Sequence, residues 1–160
     1  PQRGGGVYIA GKTRGNLGGQ NRGDYDAWFA RWEPGCGTAS VASRNAGSNP
    51  HSLQASAPVL GSQFTATVDL TTSGHAFALL VTYDGAVDIT LGTGQHLLCA
   101  NVHGSGLLFQ AVQPGPLASF SATVPNDVFL CGLQAHMQAI HFGTVRPYAL
   151  SNAQDLVFGN

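Results

Sequence analysis

The sequence predicts an all-β protein: an antiparallel β-sandwich, jelly-roll-like, preceded by an N-terminal β-hairpin extension. Three observations carry this. Residues 63–70 and 117–124 alternate cleanly, with Phe64, Ala66, Val68 and Leu70 set against Gln63, Thr65, Thr67 and Asp69, and Ala118, Phe120, Ala122 and Val124 against Ser119, Ser121 and Thr123. A strand points successive side chains to opposite sides, so each segment has a dry face and a wet one. Further short apolar stretches recur between turn signals, with no helical period. Finally, residues 128–142, VFLCGLQAHMQAIHF, read with a period of two as one long strand. Phe129, Cys131, Leu133, Ala135, Met137 and Ala139 form its apolar face, and Leu130, Gly132, Gln134, His136 and Gln138 its more polar one. This is the expected central strand.

Composition bounds the class. At 160 residues the chain accommodates one domain plus an appendage. Only 9% of residues are charged, against about a quarter in an ordinary soluble domain, while 43% are hydrophobic. Ser, Thr, Asn, Gln and Gly must therefore supply the polar surface, a balance typical of secreted or surface-exposed β proteins. Disorder needs low hydrophobicity with high charge, which this chain lacks. No apolar run is long enough for a membrane span. A net charge of −1 argues against an electrostatic hold on nucleic acid. Residues 1–34 carry five cations and three anions, hence +2; the remainder carries two cations and five anions, hence −3. The split marks an arm at 1–35 and a domain at 36–160, and it permits a weak attraction between such segments. The chain starts Pro1-Gln2-Arg3 without Met, as expected of a processed form or a fragment. The Gly-rich opening is expected to be held in place by a packed neighbour or by the chain's own body.

In order, residues 7–12 read as a strand, 13–24 as a turn-rich loop, and 25–33 as a second strand stopped by Pro34-Gly35. Trp28, Trp32 and Ala30 share one face and Phe29 lies opposite. An isolated hairpin is marginal in water, so its aromatics are expected to pack on something else. Residues 37–52 read as an irregular lead-in. Residues 75–83 are apolar on both faces, as in a central strand, and Asp84-Gly85 is a hairpin signal. Short strands are expected at 87–91, 95–102 and 106–112, a turn at Pro114-Gly115-Pro116, and a last short strand at 155–158.

The arm resembles one copy of the SBBP repeat of bacterial seven-bladed β-propellers. The shared features are G-x-V-Y-I-A-G-x-T, L-G-G-x-N-x-G and Y-D-A-W-x-A-R-W, within residues 4–34. A propeller needs several blades and the chain has one copy, so a lone blade half implies another packing partner. Residues 36–160 resemble a C-terminal β domain of secreted proteins of planctomycetes and related bacteria. That likeness rests on GCG, NPHSL, P-V-L-G, L-C-x-N-V, V-P-N-D and A-L-S-N-x-x-x-L-V-F-G. It implies a secreted structural or surface module and no catalytic residue. It also places cysteines near Cys36 and Cys99, which favours a disulfide between them in an oxidising compartment, with Cys99–Cys131 as the rival pairing and Cys131 otherwise a buried thiol.

No catalytic constellation, metal site or cofactor site is expected. Nothing near the cysteines activates a thiol. His51, His75, His96, His103, His136 and His141 show neither HxH nor HExxH spacing, and a metal site assembled across strands stands beside the simpler reading of surface or strand-end histidines. Asp84, Asp88 and Asp127 lie near turns, where Asp caps backbone groups, with extracellular calcium binding as the alternative. The glycine runs lack the context of phosphate loops.

Enzymatic activity is therefore not expected. The functional expectation is an extracellular or cell-surface structural subunit that self-assembles into a homo-oligomer or filament. Its hairpin would pack on, or add to, a neighbour through Val7, Tyr8, Ile9, Tyr25, Trp28, Phe29 and Trp32. The alternatives are a glycan- or surface-binding module, with Trp28 or Trp32 stacking on a sugar, and a C-terminal sorting or anchoring domain.

Overall fold

The structure is a computed structural model of the full chain, and it describes residues 7–16, 20, 23–32, 35–104, 106–143 and 147–160. The Gly-rich opening and Pro34 lie outside the described residues. The chain divides into two compact units, Pro1–Cys36 and Gly37–Asn160.

The first unit is a two-stranded antiparallel sheet of β1 (Val7–Thr13) and β2 (Asp26–Trp32), registered Val7↔Trp32 through Thr13↔Asp26.

The second unit is an antiparallel sandwich. Its strands are β3 (Ser40–Arg44), β4 (Leu53–Ala55), β5 (Gln63–Asp69), β6 (Phe77–Tyr83), β7 (Gly85–Thr90), β8 (His96–Ala100), β9 (Leu107–Pro114), β10 (Leu117–Thr123), β11 (Gln134–Phe142) and β12 (Ala149–Val157). A three-stranded sheet, β10-β5-β4, faces a five-stranded sheet, β3-β12-β11-β6-β9. The core lies between them, built from Leu53, Phe64, Ala66, Val68, Ala118 and Phe120 on one side and Ala78, Leu80, Ala135, Met137, Ala139 and Leu156 on the other. The alternation of β5 and β10 follows directly from this layering: their inward residues meet the core and their Ser, Thr, Gln and Asp residues meet water.

The outer face of the five-stranded sheet carries a further layer, the β7–β8 ribbon. Side-chain amides dock it. Gln138 accepts from Leu98 N at 2.9 Å and donates to His96 O and Ser151 O. Asn49 brackets His96, donating to its carbonyl at 2.7 Å and accepting its N–H at 2.8 Å. Arg44 donates to Val87 O and Leu98 O while pairing with Asp155. The polar face expected of residues 134–138 is thus a mating surface, and Gln138 is fully buried.

Four expectations are corrected. Residues 128–133 are not strand: Val128–Leu130 is a 3-10 turn capped by Asp127, whose carboxylate accepts from Phe129 N, and Gly132 follows at φ 74°. Phe129 (73% exposed) and Leu133 (43%) accordingly do not continue a dry face. Asp84-Gly85 is not a hairpin turn, because β6 pairs with β11 and β9 rather than with β7. It is the corner where the chain leaves the sheet for the ribbon. A Cβ at Gly85 would lie 2.2 Å from Val102 Cγ2, so only glycine fits. The lead-in at 37–52 contains β3, and the last strand is nine residues long and starts at Ala149.

Candidate functional site

The hairpin presents two different faces. By register Ile9, Gly11, Trp28 and Ala30 share one of them. Trp28 lies directly over Gly11: a Cβ there would meet indole Nε1 at 2.8 Å, so the missing side chain makes room for the ring. The other face carries Tyr8, Ala10, Lys12 and Phe29. Tyr8 and Phe29 stack diagonally across the strands, with centroids 5.4 Å apart. Lys12 and Arg14 both sit over the Tyr25 ring, at 4.8 and 4.3 Å. Tyr8, Ile9, Tyr25 and Phe29 remain 45–69% exposed. Val7 and Trp32 are backbone partners at the open end of the hairpin, and their side chains lie outside the described residues.

The cysteine expectation is overturned. Cys36 and Cys131 are the disulfide-bonded residues, and Cys99 is a buried free thiol. Neither Cys36–Cys99 nor Cys99–Cys131 forms. The turn at 128–133 takes Cys131 off the inner face of β11, whereas β8 folds Cys99 into the interior. Burial pushes the Cys99 thiol up to about 12, with the Arg44 charge opposing that weakly, so it is a poor nucleophile.

The turn aspartates cap or pair. Asp84 accepts from Val102 N and His103 N, and Asp88 meets His96 Nδ1 at 2.5 Å. His136 Nδ1 lies 2.7 Å from Asp155, which also takes Arg44. Burial raises the Asp155 pKa, but hydrogen bonds from Arg44 and His136 outweigh it and hold the carboxyl below its usual range. His141 is fully buried against Ser52 Oγ at 3.1 Å; burial, and then the neighbouring His75, lower it to about 4. Among the described residues no three His, Cys, Asp or Glu converge as a metal site would require. No described helix is long and apolar enough to cross a membrane.

No family model, curated protein or solved structure matches the chain.

Proposed function

We propose that the chain is an extracellular structural subunit that self-assembles through its N-terminal hairpin, which packs on or adds to the sheet of a neighbouring copy. One observation carries the reading. The hairpin is a two-stranded sheet of its own whose Tyr8, Tyr25 and Phe29 stay largely in solvent, and such a sheet gains independent stability only when a further strand or a packed surface covers it. The sandwich supplies acceptor edges at β10 on one sheet and at β3 and β9 on the other, each paired on one side only, whereas at the β4 edge Asn152 and Gln154 already bond Leu53. The opposite net charges of residues 1–34 and 36–160 favour such a union between copies. A head-to-tail union of this type yields a filament unless its rotation closes.

The disulfide supports an oxidising compartment, in line with an extracellular address. The glycan-binding alternative is weaker at Trp28, whose ring is already laid across Gly11. Removing residues 1–35 tests the proposal, with light scattering and negative-stain microscopy of full-length and shortened protein. The full chain should form large regular particles and the shortened chain a folded monomer. Assembly that persists without residues 1–35 would sink the idea.

A further inference from the structure

The two sides of the sandwich are closed differently. On the β4/β12 side, Asn152 and Gln154 reach across and bond Leu53 of the opposing sheet. On the β9/β10 side nothing equivalent is seen among the described residues, and there the interior opens into a cavity of about 360 Å³. Phe64, Phe109, Phe120 and Met137 are among its walls, and Leu108 and Leu133, each about two-fifths exposed, stand at its rim. Protein interiors pack to crystal density and rarely keep voids larger than a water molecule. This volume is instead that of a small-molecule pocket, about 300–1,000 Å³.

Its chemistry is specific. No charged side chain is among the described lining residues. Ser121 and Thr123 line it from β10 but alternate outward and are exposed, whereas Thr82 lies on the core side of β6, 4% exposed. Thr82 Oγ1 is buried with no hydrogen-bond partner. A buried hydroxyl left unsatisfied is costly, and a ligand oxygen placed against it removes that cost. An apolar pocket of this size suits an apolar guest.

We infer that this cavity binds a neutral, chain-like apolar molecule bearing one hydrogen-bonding oxygen, such as an aliphatic alcohol or ester, with that oxygen on Thr82 Oγ1 and the chain among the phenylalanines. A carboxylate head is disfavoured, because no cation lines the site to offset its desolvation. The inference is independent of the assembly reading.

Displacement of N-phenyl-1-naphthylamine fluorescence from the full-length protein by 1-octanol, octane and octanoate at pH 7 tests it. Saturable probe binding is expected, with octanol displacing about five-fold better than octane, the worth of one net hydrogen bond, and octanoate weakest. Thr82→Val should keep octane binding and erase the octanol preference. Ala122→Phe, aimed into the void, should abolish probe binding, with circular dichroism confirming the fold; Thr82→Val decides the matter if that variant does not fold. Absence of saturable binding, equal displacement by octanol and octane, or an unchanged preference in Thr82→Val would overturn the inference. So would probe binding confined to dissociated protein and lost on assembly, which would make a neighbouring copy the occupant.

Discussion

In the hairpin, Tyr8 and Phe29 leave 59% and 69% of their surface in solvent; in the sandwich, Gln138 and Asn152 each leave 1%. The apolar residues are outside in one region and the amides are inside in the other. Amides are expensive to bury unless every donor and acceptor is used, and here they are used as structural ties between layers. Gln138 docks the ribbon on the five-stranded sheet and Asn152 ties that sheet to β4, where aliphatic side chains would join the layers without fixing their register. The hairpin spends its aromatics on stacking and cation–π contacts that leave much of each ring open. Stability should therefore reside in the sandwich and association in the hairpin.

The largest effect is expected from the disulfide. Replacing Cys36 and Cys131 together by Ser should lower unfolding free energy by about 4 kcal/mol, read from denaturant titration, whereas Cys99→Ala should cost far less because that thiol bridges nothing. Asn152→Ala comes next, at about 3 kcal/mol. It strips the Leu53 N–H of its acceptor and leaves Leu53 O with Gln154 alone. A loss below about 1 kcal/mol would mean that water replaces the amide and that the tie between layers is weak.

The same contrast explains what was legible beforehand. Strands with one wet face announced themselves: β5 and β10 alternate because one side is solvent. β12 did not, since it is covered on both faces and its Ser151, Asn152 and Gln154 are buried and bonded rather than exposed, so polarity there pointed the wrong way. β3 is a mostly exposed edge strand whose small polar residues read as coil. At 128–133 a chance alternation hid a turn, although Asp127 and Gly132 mark its ends as cap and positive-φ residue. That misreading carried Cys131 onto an apolar face and so out of consideration as the partner of Cys36. In the hairpin, alternation set Trp28 and Phe29 on opposite faces, but the Tyr8–Phe29 stack and the Trp28–Gly11 contact needed the register. Thr82 was the one aliphatic hydroxyl in a strand apolar on both faces, a signal that only a cavity makes meaningful.

Acid should weaken the sandwich in a defined window. His141 has a folded pKa of about 4 against an ordinary 6.5, so the unfolded chain binds its proton first as pH falls. Its favourable contribution is complete above pH 6.5 and is lost between 6.5 and 4, by about 3 kcal/mol in all. Asp155 shifts in the same direction: its pKa is lowered too, so its contribution is present above the ordinary carboxylate value and fades only as pH falls below it, at lower pH than the His141 window. Unfolding free energies from denaturant titration at pH 7 and pH 4 should therefore differ in the parent, and differ by about 3 kcal/mol less in His141→Gln, whatever that variant's absolute stability.

The smallest expected change in stability belongs to the hairpin, and there a null result is informative. Phe29→Ala removes a ring that is 69% exposed and stacked on Tyr8, so unfolding of the sandwich should move by less than about 0.5 kcal/mol. Gly11→Val drives a Cβ into the Trp28 indole and should shift tryptophan emission while sparing the sandwich equally. If association runs through this surface, both variants should shorten or abolish the particles seen by light scattering, because each disturbs one face of the hairpin. Intact particles with Phe29→Ala but none with Gly11→Val would assign the contact to the Trp28 face, and the reverse pattern to the Tyr8–Phe29 face. Intact particles with both would place association outside the hairpin altogether, leaving the exposed edges of β9 and β10 as the surfaces to alter next.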